Sequence, residues 1–298
     1  FTAKTKPRRG VFPPKDLRLE TLTPFHITMT SVTEDPILAP FFLYGMAAGF
    51  TGVFVFYGLA REVVVPKLAT AAFRERLAGL SQKDQKYFYI TLPSMVHSLA
   101  HSLFHPAWIS LGFSPEHNEN LVTYFDETWP AFFQGVFAGY LIADLIVLGP
   151  KDLGPVYMVH HITASSIWVV STCFQVMQGY GSMLEFAEFS TIFLNIRQLI
   201  LTAGYPSSDP MSMAASLAFF LSFFAVRIIP LPTIIYLWLT KDYRRLSDKH
   251  GCPLAVANSI SLAVHVALQS FWFFLMVKKI VGMAKGKKKS TSEKKEAQ

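Results

Sequence analysis

The residues of this chain whose types and spacing could do chemistry are ionisable side chains set inside long apolar stretches. His97, His101 and His105 recur every four residues, and His160 and His161 are adjacent. Asp144, Glu185, Glu188, Arg197, Arg227 and His265 stand in similar surroundings. An imidazole titrates near neutrality, so it can serve as a general base or, when neutral, as a metal ligand. The HxxxH spacing puts two imidazoles on one helix face, within reach of one ion. His97 and His105 are two such steps apart, about 12 Å along a helix axis, so the three cannot share an ion. The HxxHH box of membrane di-iron oxidases is missing. So are a GxSxG elbow and a phosphate-cradling glycine loop. No metal site and no nucleophile is assigned.

The surroundings of these residues set the class. The chain has 298 residues, 51% hydrophobic and 16% charged, with a mean hydropathy of +0.34. Soluble domains carry about 25% charged residues, because they face water. Here the apolar residues gather in blocks of roughly 20, the length that crosses about 30 Å of hydrocarbon. Seven blocks, at 37–60, 87–112, 130–149, 155–178, 183–203, 211–239 and 254–281, predict an all-α, multi-pass transmembrane bundle of about seven helices. Short turns join the third block to the sixth in succession, which predicts that these pack as antiparallel neighbours. Pro230 and Pro232 predict a kink or break in the sixth block. The net charge of +7 sits in basic tails and loops, which on a membrane protein meet anionic headgroups. Nucleic acid is not an expected partner, and two cysteines build no disulfide framework.

Three regions follow. Residues 1–36 form an extended, proline-rich basic arm, and the acid-free residues 1–15 read as what remains beside a cleaved organelle-targeting presequence. Residues 37–281 form the transmembrane domain. The lysine-rich tail, 282–298, is expected to be disordered by itself. Loops and tail on the C-terminal side hold 15 lysines and arginines against 10 on the other, which places the C-terminus inside.

An ionisable group in hydrocarbon costs at least a few kcal/mol, so each needs a partner or a purpose. The helical period places His161, Ser165, Trp168, Thr172 and Gln175 in one stripe facing the bundle. Glu188 and Asn195 share a face, whereas Arg197 lies opposite Glu188 and must find another anion, Asp144 or a lipid phosphate. His97, His101, Asp144, His160, His161, Ser165, Glu188, Asn195, Arg197 and Arg227 are together expected to line a polar chamber. For each one, the alternative is an inter-helix hydrogen bond of about 1 kcal/mol.

Five segments in order carry a resemblance: "PSMVHS" with Ser94 and His97, "GYLIAD" with Tyr140 and Asp144, "YMVHHITA" with His160 and His161, "EFSTIFLNIRQLI" from Glu188 to Ile200, and "FFAVRIIPLP" around Arg227. Over roughly residues 40–280 the chain resembles the TLC-domain family, the membrane proteins that include ceramide synthases and translocon-associated chain proteins. The resemblance implies a helical bundle enclosing a cavity that accepts an acyl chain or another lipid. In ceramide synthases the paired histidine opens the active-site motif, so His160 and His161 would inherit the catalytic position and deprotonate an attacking amine during acyl transfer. The sequence departs after that pair. The His-Asp pair and further acids of the ceramide synthases are absent, and the next histidine is His250, in a polar loop.

The expected function is therefore a lipid-binding, non-catalytic accessory or structural subunit of a larger organellar membrane complex, partnered by membrane lipids and neighbouring membrane-protein subunits. The alternatives are a ceramide-synthase-like acyltransferase using His160 and His161, and a free-standing regulator of membrane lipid composition. No cofactor is expected beyond a bound phospholipid of the cardiolipin kind. The mitochondrial inner membrane is the first placement, ahead of a plastid or endoplasmic reticulum membrane. The tail tests the lipid expectation. Changing Lys287, Lys288 and Lys289 to Gln should lower the count of co-purified anionic lipids or of neighbouring subunits. Unchanged counts would leave the tail as a topological signal.

Overall fold

Lipid offers the backbone no hydrogen-bonding partner, so a spanning segment must satisfy its own amides and carbonyls, and a helix does so within itself. The computed structural model describes residues 38–112, 128–173 and 178–296, helical throughout apart from short turns and without a strand among them. The basic arm, Gln175 and the side chains of His105, Thr172 and the lysine-rich tail lie outside the described residues.

Helix α1 (Leu38–Leu59) passes through a π-turn at Ala60–Val64 into α2 (Val65–Leu68). The short α3 (Ala71–Ala78) starts where the Thr70 hydroxyl accepts the Phe73 amide at 3.2 Å. Then come α4 (Gln82–Gly112), α5 (Thr128–Leu153), α6 (Pro155–Cys173), α7 (Gln178–Glu185) and α8 (Glu188–Thr202). Asp209 caps α9 (Pro210–Phe223) by accepting the Met211 amide at 2.9 Å. π-turns at Phe224–Ile228 and Trp238–Asp242 join α9 to α10 (Pro230–Leu237) and to α11 (Tyr243–His250), before the long α12 (Cys252–Glu296). Gly149 (φ +70°) and Gly154 (φ +79°) make the left-handed turn that ends α5 and reverses the chain into α6.

These elements follow the seven apolar blocks, with three differences. Pro230 does not break the sixth block, because the π-turn before it widens the helix. The Ile229 amide bonds the Phe224 carbonyl five residues back at 3.0 Å, and Pro230 follows at the first position of α10, where its missing amide hydrogen is tolerated. The fifth block is interrupted at Phe186–Ala187, between α7 and α8. The last helix runs on to Glu296, through alanine, lysine and glutamate, which are strong helix formers.

Four stretches among the described residues are long and apolar enough to cross a membrane: Pro40–Leu68, Ala131–Leu153, Pro210–His250 and Cys252–Gly282. The passages that fall short, α4, α6 and α7–α8, hold most of the polar residues singled out above. They are partly sheltered by their neighbours. Helix α4 lies against α1, α5, α7 and α8, and the later passages touch in succession, α5 against α6, α6 against α7 and α8 against α9. Helix α12 closes the group against α6, α11 and the Phe224–Ile228 turn.

The tightest packing joins α1 to α5. A Cβ on Gly45 or Gly49 would stand 2.0 Å from the Phe132 carbonyl oxygen or 2.1 Å from that of Val136. Reciprocally, a Cβ on Gly135 or Gly139 would stand 2.1 Å from the carbonyl oxygens of Phe42 and Met46. Residue numbers rise together on both helices, so they run parallel, and two GxxxG pairs let the backbones touch. Gly49→Ala and Gly139→Ala should each destabilise the detergent-solubilised protein by about 1–3 kcal/mol. Gly52→Ala, whose Cβ meets nothing within 4 Å, should be silent in the same thermal unfolding.

Candidate functional site

Asp144 and His161 face each other across the turn that joins α5 to α6. That turn is tied to α4 by Lys86 Nζ on Asp152 Oδ2 at 3.0 Å and by the Tyr87 hydroxyl on the Asp152 carbonyl at 2.6 Å. His161 Nδ1 lies 2.8 Å from the Tyr157 carbonyl oxygen, and Nε2 lies 2.8 Å from Asp144 Oδ2. A carbonyl can only accept, so Nδ1 carries the hydrogen in the first contact. The second contact then needs one more proton, held by either atom. In both forms the pair is neutral overall, as a site within hydrocarbon favours. Both residues are buried, and Asp144 Oδ1 has no hydrogen bond among the described residues. With both ring nitrogens engaged, His161 has none left to accept a substrate proton.

A second buried group lies where α4 meets α5, α7 and α8. The His97 ring stacks on Tyr140, centroids 4.0 Å apart, and lies 4.2 Å from the ring of His101. His101 Nδ1 is 3.4 Å from Glu185 Oε2, both side chains fully buried. Asn195 Nδ2 donates to Ser94 Oγ at 3.0 Å, and the Ser98 hydroxyl donates to Glu188 Oε2 at 3.2 Å. Among the described residues, no three His, Cys, Asp or Glu side chains are arranged to hold a metal ion.

The third group is built on Arg227, which the Phe224–Ile228 π-turn presents to the interior. Its Nε donates to Ser190 Oγ at 2.8 Å, Nη2 to Thr191 Oγ1 at 3.0 Å and Nη1 to Gln269 Oε1 at 3.4 Å. Nη2 also stands 3.6 Å from Glu188 Oε1, and the guanidinium lies over the Phe223 ring. Gln269 in turn contacts His265 Nε2 through its amide nitrogen at 3.3 Å. One arginine therefore links the sixth passage to α8 and α12.

Beside it is a small chamber, partly open to the surroundings. Glu188, Arg227, Gln269, His265, His160 and Thr163 give it a polar end. Phe137, Ile167, Trp168, Leu184, Val264 and Leu268 give it an apolar wall. His160 packs edge-on against Trp272, ring centroids 5.2 Å apart, and makes no side-chain hydrogen bond among the described residues.

Of the residues expected to line one chamber, His160, Glu188 and Arg227 do so. His97, His101, Asp144, His161 and Asn195 are instead spent on contacts between helices. Ser165 is buried with its hydroxyl unbonded among the described residues. Arg197 finds neither Asp144 nor the chamber. Its Nε donates to Ser216 Oγ on α9 at 3.0 Å, because its face of α8 points at that helix. The paired histidines are split, since adjacent helical residues point about 100° apart. His161 faces Asp144 and His160 faces the chamber. Sequence reasoning missed Gln269, Ser190 and Thr191 as partners of Arg227. The signal for Gln269 was an amide side chain set inside an apolar block.

The family model of the TLC domain matches residues 41–278. The chain belongs to the TLC-domain family. It is 25% identical over 253 residues to TLC domain-containing protein 4-B of Danio rerio, covering 83% of this chain and 93% of that one. TLC domain-containing protein 4-B of Xenopus laevis is 31% identical over 141 residues, 43% of this chain and 52% of its own. TLC domain-containing protein 4-A of the same species is 28% identical over 169 residues, 54% and 64% respectively. The matched TLC region takes in the whole Arg227 network and both buried histidine groups.

Within this TLC domain the Asp144–His161 pair makes a quantitative test. Removing one member of a buried pair costs about 3–5 kcal/mol, so Asp144→Ala should lose that much in thermal unfolding of the solubilised protein. Asp144→Asn keeps an amide that can donate to His161 Nε2, and should lose clearly less. Equal losses would argue against the shared proton.

Proposed function

We propose that this TLC-domain protein binds an amphipathic lipid in the chamber between α6, α8, the Phe224–Ile228 turn and α12, and that it does so without catalysis. The chamber's division into a polar end and an apolar wall carries the reading. A lipid head can hydrogen-bond at His265 and His160 while its chain lies along Phe137, Ile167 and Leu268. Absence of catalysis is supported by the split histidines. A general base needs a free nitrogen and an orienting partner. His161 has the carboxylate but no free nitrogen, and His160 has no carboxylate partner among the described residues.

We extend the proposal to an accessory or structural role within a larger organellar membrane assembly. Its support is compositional. The basic, acid-free residues 1–15 and the lysine-rich tail suit an anionic membrane such as the mitochondrial inner membrane, where cardiolipin would meet the tail rather than the chamber.

Native mass spectrometry of the gently extracted protein tests both parts. About one lipid should co-purify per chain. Ala164→Phe or Leu268→Trp, which fill the chamber, should abolish it while the unfolding temperature moves by a few degrees at most. A lipid-free wild type would overturn the binding reading, and a chain without stoichiometric partners would overturn the accessory role. Amide formation from an acyl-CoA and a long-chain amine, lost in His160→Ala, would replace the reading by acyl transfer.

A further inference from the structure

The charges at the polar end of the chamber cancel, and this bears on what kind of head fits there. Two of the lining residues are an acid and a base of fixed opposite sign, Glu188 and Arg227, and their nearest atoms are 3.6 Å apart. The guanidinium is otherwise occupied by Ser190, Thr191 and Gln269, and the carboxylate also accepts from Ser98. Each ion is thus already matched by the other's charge, so a ligand group would meet a pair rather than a lone ion. The neighbouring histidine is neutral on geometric grounds. The Gln269 carbonyl oxygen accepts from Arg227, so its amide nitrogen faces His265 Nε2, and an amide nitrogen can only donate. His265 Nε2 therefore accepts, and the imidazole hydrogen sits on Nδ1. Beyond that pair the wall offers the rings of His265 and His160 and the side chain of Thr163 as hydrogen-bonding groups.

We propose that the chamber selects an amphiphile with an uncharged hydrogen-bonding head, a hydroxyl, ester or amide on a long apolar chain, and rejects free carboxylates, phosphates and ammonium heads. The inference rests on the binding reading above and narrows its ligand class. A charged head would enter a low-dielectric space whose counter-charges are already paired, and so would remain uncompensated. A neutral head exchanges its bonds to water for bonds to His160 and His265, while the chain lies against the apolar wall.

The test uses the full chain in proteoliposomes and three photo-crosslinking probes sharing one alkyl chain, with alcohol, carboxylate and amine heads. Cross-linked peptides from α6 and α12 are counted by mass spectrometry. In the wild type the alcohol should label the chamber about tenfold or more over either charged probe, given the few kcal/mol that an unpaired charge costs in hydrocarbon. Glu188→Gln leaves Arg227 uncompensated and should turn the preference toward the carboxylate. Arg227→Met leaves Glu188 alone and should turn it toward the amine, a second route if the first variant folds poorly. No labelling of chamber peptides by any probe would overturn lipid binding itself. Labelling led by the carboxylate or amine in the wild type would leave binding intact and overturn neutral-head selection, as would an unchanged preference in both folded variants.

Discussion

A guanidinium cannot stand unpaired in hydrocarbon, and much of the interior follows from how Arg227 is satisfied. Its donors reach Ser190 and Thr191 on α8 and Gln269 on α12, and its charge faces Glu188. The side chain can do this because a π-turn before Pro230 sets its direction. The same contacts explain why the fifth passage is the least apolar. Helix α8 must carry a carboxylate and two hydroxyls to meet the arginine, so it must be shielded from lipid, with α4 on one side and α9 on the other.

The polar groups divide into sealed knots and an open wall. The Asp144–His161 pair and the His97–Tyr140–His101–Glu185 group are buried between helices, where neutral pairing and ring stacking let ionisable residues stay in hydrocarbon. They hold the bundle but face no space. The chamber is lined instead by residues next to them in sequence, His160 beside His161 and Glu188 three residues after Glu185. Structure and cavity are thus served by neighbouring positions in the chain.

The outer frame depends on contact rather than charge. Helices α1 and α5 approach closely enough that glycine is required on both sides, and backbone dispersion replaces a hydrophobic drive that lipid cannot supply. Large apolar side chains such as Leu43, Ile146, Leu217, Leu239 and Phe274 point outward, as suits a surface solvated by acyl chains.

The helical class, the seven passages and the inward stripe of His161, Ser165 and Trp168 were legible in the sequence, because hydrophobic length and the 3.6-residue period are local properties of the chain. Buried ionisable residues could likewise be named, since their presence in apolar blocks is a composition fact. Their partners were not legible. Glu188 meets Arg227 from 39 positions away in the chain, and Arg197 settles on Ser216, because which helices touch is decided by packing across the bundle. The glycines on α1 and α5 acquire meaning only once those helices are known to lie parallel and adjacent. His160 and His161 are equivalent in a string of letters. A rotation of about 100° between them, and the positions of α5 and α12, made one a structural pair member and the other a wall of the chamber.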